Sequence, residues 1–148
     1  MNTSSGSGGR VTTSILVDSN VFLDIFWGGS PVDWSREKLA ILGGERQLAI
    51  NPIIWSEVGA RFATAADLDR AMAGLAIERR PLPYNAAFRA GQAHLAYRRQ
   101  GGQRERTLPD FLIGAHAEVE NCAILTRDPA RYRSYFPMLE IISPETHP

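Results

Sequence analysis

The stretch Ile15 to Asp24, ILVDSNVFLD, decides how the rest of the chain reads. Strand-like apolar residues run directly into Asp18, and the chain then continues in a helical pattern. From Ser14 onward the same grammar repeats. Short apolar runs near 14–18, 47–50, 76–79, 122–126 and 139–142 alternate with longer helical stretches. That alternation predicts an α/β domain with a mostly parallel central sheet of about five strands. The Ala-rich segment 83–100 predicts a helix, stopped by Gly101 and Gly102.

The 148 residues suffice for one domain with a sizeable core. Residues 1–13, MNTSSGSGGRVTT, have little to bury and read as a flexible N-terminal tail, leaving 14–148 as the domain. Sixteen basic and sixteen acidic residues cancel, so net charge argues for no class of partner and any such case must be local. The single cysteine, Cys122, excludes an intramolecular disulfide and a cysteine zinc cluster; within CAIL it reads as a small buried hydrophobe. No apolar run approaches the roughly 20 residues that span a bilayer, and the first residues lack the character of a signal peptide. A cytoplasmic protein without membrane contact is the expectation.

In open parallel sheets, ligands bind beyond the carboxyl ends of the strands. Asp18 ends the first strand and Asp128 follows the strand CAILT. Asp110 opens the helix that leads into that strand, and Glu57 lies in a helix following LAI. The four carboxylates thus share one expected rim. Each also has a plainer reading: Asp18 and Asp128 as helix caps, Asp110 as the acid of a capping box with Thr107, and Glu57 as the partner of Arg61. Glu57 also borders the apolar stripe of Ile54, Val58 and Phe62, where an unpartnered carboxylate is costly. Gathered together, four acids repel one another unless a cation neutralises them. An all-oxygen set suits Mg2+ or Mn2+ rather than zinc. His94, His116 and His147 read as surface or capping residues, and Asp24 as the polar side of the first helix.

ILVDSNVFLD, IIWSEV, LPDFLIGAHA and ILTRD occur in the order and spacing of a PIN domain, and the chain resembles the toxin nucleases of VapBC-type toxin–antitoxin modules over residues 14–142. The resemblance implies a three-layer α/β/α fold and a metal-dependent endoribonuclease. Its acidic residues fall on Asp18, Glu57, Asp110 and Asp128, as catalytic residues and metal ligands. Asn20 and Thr126 match positions that orient ligands or water. After Asp128, where some relatives carry a further acid or Asn, this chain reads Pro129, Ala130, Arg131. The resemblance further implies an RNA substrate cut to a 5′-phosphate and a 3′-hydroxyl, a cognate antitoxin and a homodimer.

Locally, charge is uneven: Arg79, Arg80, Arg89, Arg98, Arg99, Arg104 and Arg106 face only Glu105 in that interval. Arginine forks suit phosphates, so Arg98, Arg99, Arg104 and Arg106, just ahead of the Asp110 helix, are candidate RNA-binding residues. Solvated helix faces in an arginine-rich chain would give the same count. Trp27, Trp34 and Trp55 are candidates for a partner groove, or for core. Two other readings stay open: a catalytically weak PIN-domain RNA-binding or scaffold protein, and a haloacid-dehalogenase-type phosphatase, which needs an aspartate where Asn20 stands.

Overall fold

A computed structural model of the protein describes residues 13–28, 32–102 and 105–148. Residues 1–12 of the expected tail, and Arg104, lie outside the described residues. In chain order the elements are β1 (Ile15–Val17), α1 (Ser19–Trp27), α2 (Val32–Gly43), β2 (Leu48–Ile50), α3 (Pro52–Gly59) and α4 (Ala65–Ala73). They continue with β3 (Glu78–Arg79), α5 (Tyr84–Arg99), α6 (Leu108–Glu120), β4 (Ala123–Leu125), α7 (Ala130–Arg133) and β5 (Ile141–Ile142). The expected strands are all present, each one or two residues shorter than expected. β3 begins only at Glu78 because Ala76 takes a left-handed φ of 52°, which breaks strand geometry before it.

The sheet order is β3-β2-β1-β4-β5 and every pairing is parallel. Every residue of β1, β2 and β4 is buried, as strands covered on both faces must be. Helices therefore lie on both sides, giving the three-layer α/β/α arrangement. The chain builds outward from β1 to β2 and β3, then returns to place β4 on β1's other side. Between β1 and β4 lies the switch point of the sheet, where a crevice opens at the carboxyl ends of the strands. Asp18 and Thr126 are the residues that follow those two strands.

Ile15, Leu16, Ile124 and Leu125 share one core with the helical residues Phe22, Ile54 and Phe111 and with Phe136, which follows α7. Cys122 is a free, buried thiol in this core, as expected. No helix among the described residues is long and apolar enough to cross a membrane.

Helix α6 passes so close to Phe136 that Gly114 has no room for a side chain. A β-carbon there would lie inside the van der Waals surface of the fully buried Phe136 ring. Gly114→Ala should therefore cost about 1–3 kcal/mol despite alanine's better helix propensity, read from urea unfolding. A variant as stable as the parent would mean that Phe136 can move aside.

Candidate active site

Asp18 sits at the switch point with 0% of its surface exposed. Its Oδ1 accepts from the Ser19 backbone N–H at 2.7 Å, so it does cap α1. The other oxygen does something else. Oδ2 accepts from the Tyr132 hydroxyl at 2.7 Å and from Thr126 Oγ1 at 2.8 Å, with Asn20 Nδ2 at 3.5 Å. Donors thus arrive from the β1–α1 turn, the end of β4 and α7. A buried carboxylate needs such compensation.

Asn20 and Thr126 bind the two loops together. Asn20 Nδ2 donates to Thr126 Oγ1 at 3.2 Å, while its Oδ1 accepts from the Arg127 N–H at 3.2 Å. Thr126 Oγ1 also accepts from the Asp128 N–H at 3.0 Å, which orients the fourth acid.

Glu57 reaches the same rim from α3, whose start is set by Asn51 capping Ile54 and by Pro52 in the first turn. Ser19 Oγ donates to Glu57 Oε1 at 2.9 Å, so one serine links two carboxylates. Arg61, the surface partner considered for Glu57, lies instead 5.0 Å from the centre of the Trp27 ring. Burial, followed by the Asp18 charge, pushes the Glu57 carboxyl above the usual range against the Ser19 hydrogen bond.

Asp110 combines both readings. It closes a capping box with Thr107, accepting that residue's N–H on Oδ2 at 3.2 Å. Burial pushes its carboxyl up too, the Thr107 N–H and Arg131 oppose this, and Asp18 and Asp128 add to it. Asp128 does not cap α7 with its side chain. It accepts from Arg131 Nε at 3.0 Å and remains 48% exposed.

Three members of this site were not singled out as candidates from the sequence. Ser19 and Tyr132 carry no sequence signal that marks them; Tyr132 is fully buried, and burial together with the Asp18 charge pushes its phenol well up. Arg131 stands three residues after Asp128, a helical-pair spacing that was legible. Its Nη1 lies 3.6 Å from Asp110 Oδ1. Burial works against the charged guanidinium, but the Asp18 and Asp110 carboxylates outweigh it and drive its pKa up.

Two expectations are corrected. Asp24 is not on the polar side of α1 but buried, accepting from Ser35 Oγ and, through both oxygens, from the Arg127 guanidinium. It lies three residues after Val21, on the apolar stripe, and its burial is compensated by that fork. His116 is fully buried rather than at the surface: Asn51 Nδ2 donates to its Nδ1 at 2.9 Å, and Nε2 pairs with Glu120, four residues on, at 2.9 Å. This bridge joins α3, bearing Glu57, to α6, bearing Asp110.

The candidate arginines divide. Arg98 and Arg106 line a cleft of about 590 Å³ with His94, Tyr97, Thr107 and Leu108, beside the start of the Asp110 helix. Arg99 is exposed in the last turn of α5 and does not line it. Arg79, Arg80 and Arg89 are engaged in ion pairs with Asp69, with Glu78 and Glu120, and with Glu118. Of the tryptophans, Trp34 donates to the His147 carbonyl and Trp55 lies under Arg79, whereas Trp27 is 45% exposed.

Among the described residues, no group of three or more His, Cys, Asp or Glu side chains closes around one point as metal ligands. The donor chemistry nevertheless fits a hard cation. Magnesium keeps several waters and commonly takes one or two protein carboxylates, and Asp18 and Glu57, joined through Ser19, form such a pair.

The PIN domain family model matches residues 15–136. No curated protein sequence matches the chain. Among solved structures, the chain is similar to one in VapBC2 from Rickettsia felis bound to a promoter DNA fragment, with 17% identity and a TM-score of 0.68, over 88% of this chain and 98% of that one. A toxin–antitoxin complex from Klebsiella pneumoniae gives 21% identity and a TM-score of 0.64, over 88% and 97%. DNA-bound VapBC from Salmonella typhimurium gives 20% and 0.64, over 89% and 98%. At these identities the likeness establishes the fold.

The raised Glu57 carboxyl has a pH signature. Its protonated form is favoured by folding, so this contribution is fully present below the unfolded value of about 4.3 and is lost as pH rises through the folded value. In chelator, wild type should lose stability relative to Glu57→Gln across thermal melts from about pH 4 to about pH 7. A gap constant with pH would mean that Glu57 is solvated like a surface acid.

Proposed function

Because the chain belongs to the PIN domain family, we propose that it is a metal-dependent endoribonuclease, the toxin of a VapBC-type toxin–antitoxin module. What supports this reading is that Asp18, Glu57, Asp110 and Asp128, from four separate parts of the chain, lie near enough for their charges to act on one another. Two of the four have pKa values pushed up by burial and by their neighbours' charge, a repulsion that a bound cation would relieve.

Bound Mg2+ or Mn2+ would supply Lewis acidity and make water a competent nucleophile for in-line attack on a phosphodiester. Asp18 and Glu57 would hold it, with Asp110 beside them and Asp128 at the exposed edge. Ser19, Thr126 and Tyr132 hold Asp18 in a single orientation, and Asn20 locks the two loops that carry the acids. The oxygen of water joins phosphorus, the bond to the 3′ oxygen breaks, and a proton passes to that oxygen, leaving a 5′-phosphate and a 3′-hydroxyl. Arg98 and Arg106 grip the RNA backbone in the cleft beside α6, and Arg99 adds charge nearby. Single-stranded or looped RNA suits a recessed site, since its phosphates can be splayed toward the acids.

The cognate antitoxin covers the aromatic surface at Trp27, where Phe26 and Phe62 make edge contacts and Arg61 stacks. A homodimer is supported by α5, whose Tyr84, Phe88 and Leu95 are exposed along one helical face. The phosphatase alternative needs an acid at position 20, where Asn20 is instead committed to Thr126 and Arg127.

Asp110→Asn is the cleanest test. Asparagine still accepts from the Thr107 N–H, so the capping box survives while a negative ligand is lost. RNA turnover with saturating manganese should fall about a hundredfold or more, roughly 2.7 kcal/mol in the barrier, with a near-parental melt. Near-normal turnover would remove Asp110 from the catalytic set, whereas a wild-type chain that cuts no RNA would leave a binding or scaffold protein. Asp18→Asn should cost both turnover and stability, because its amide cannot satisfy every donor around Oδ1 and Oδ2.

Replacing Arg98 and Arg106 together with Ala should weaken RNA binding regardless of sequence and make log Kd less steep in log salt, by roughly one unit of slope per phosphate contact. An unchanged slope would return both to solvated surface.

A further inference from the structure

Arg131 is the one described cation that touches two of the four acids. Nε bonds Asp128 Oδ2 at 3.0 Å and Nη1 stands 3.6 Å from Asp110 Oδ1. Its placement follows from the fold rather than from a free rotamer. The next residue, Tyr132, is fully buried and anchored by its hydroxyl to Asp18 Oδ2 at 2.7 Å, which pins α7 against the acidic rim. The Arg131 side chain is itself only 33% exposed. A plain surface ion pair would explain the contact with the 48% exposed Asp128, but not the approach to Asp110, whose side chain is only 7% exposed.

The rim therefore has two halves. On one, Asp18 and Glu57 are linked through Ser19, and Arg131 reaches them only through its charge. On the other, Arg131 already lies against Asp110 and Asp128. Paired divalent ions in phosphoryl-transfer sites lie about 3.5–4 Å apart, so a second ion would have to share its space with a fixed positive charge. A guanidinium can do part of that ion's work, since its forked N–H groups match the non-bridging oxygens of a phosphate.

We propose that this site takes one divalent cation, on its Asp18–Glu57 side, and that Arg131 is a catalytic residue supplying the second positive charge directly to the scissile phosphate. Asp128 holds the guanidinium toward the substrate. The inference rests on the nuclease reading above, and it makes cleavage first order in metal.

The test begins without RNA. Manganese is titrated into the purified full chain, and free Mn2+ is followed by its electron paramagnetic resonance signal. One ion per chain is expected for wild type and for Arg131→Ala. Arg131→Asp, which puts an acid where the guanidinium stood, should take up a second ion. Cleavage of single-stranded RNA at saturating Mn2+ follows, with a thermal melt for each variant. Arg131→Ala should lose a hundredfold or more in kcat, and Arg131→Lys should recover part of it because charge returns without the fork. Two ions bound per wild-type chain would overturn the proposal and leave the nuclease reading standing. Arg131→Ala cutting as fast as wild type, or faster, would overturn it too, making the guanidinium a mere cover over the acids. A wild-type chain that binds no manganese sinks the nuclease reading and the inference with it. If Arg131→Asp does not fold, the wild-type stoichiometry and the Ala and Lys rates decide alone.

Discussion

A carboxylate buried at the centre of a sheet must be fully hydrogen-bonded or it unfolds the protein, and Asp18 meets that demand with donors from three segments. Ser19 comes from the start of α1, Thr126 from the end of β4 and Tyr132 from α7. Satisfying one side chain thus fixes the relative positions of the two central strand ends and the last helix. The rest of the rim hangs from this point. Ser19 passes the constraint to Glu57, and Thr126 passes it to Asn20 and Asp128.

The same crowding creates the site's electrostatic problem. Glu57 and Asp110 are both pushed toward neutrality by burial and by the Asp18 charge, while backbone and hydroxyl donors pull the other way. Arg131 relieves part of that repulsion from one side. Elsewhere the fold solves similar problems without leaving a site open. Asp24 is closed off by the Arg127 fork and Ser35, and His116 is held between Asn51 and Glu120. Those groups are partnered on every side, tying α1 to α2 and to Arg127, and α3 to α6. The acidic rim differs in keeping Glu57 and Asp128 partly open to water.

Capping and catalysis are often offered as rival accounts of a carboxylate at a helix start. Here the two coexist. Asp18 caps α1 with one oxygen and gathers hydroxyls with the other. Asp110 completes a capping box through Oδ2 while its other oxygen faces Arg131. Helix N-termini bring unsatisfied N–H groups and positive potential, which attract and orient a carboxylate. Such a position suits a metal ligand for the same reason it suits a cap.

Read alone, the sequence determined the α/β alternation, the strands to within a few residues and the burial of Cys122, and it pointed to four carboxylates on one expected rim. Those features are local: apolar period, turn chemistry and the rule that ligands gather at the carboxyl ends of parallel strands all act over a few residues. The sequence did not disclose that Ser19 joins Asp18 to Glu57, that Tyr132 reaches Asp18 across 114 positions, or that Asp24 is buried on Arg127. Nor did it separate Arg98 and Arg106, which share a cleft, from Arg79, Arg80 and Arg89, which are spent in ion pairs. Partner choice among polar side chains depends on which strand ends the parallel order β3-β2-β1-β4-β5 brings together. That order is decided by tertiary packing, because a parallel crossover places neighbours in space that are remote in the chain.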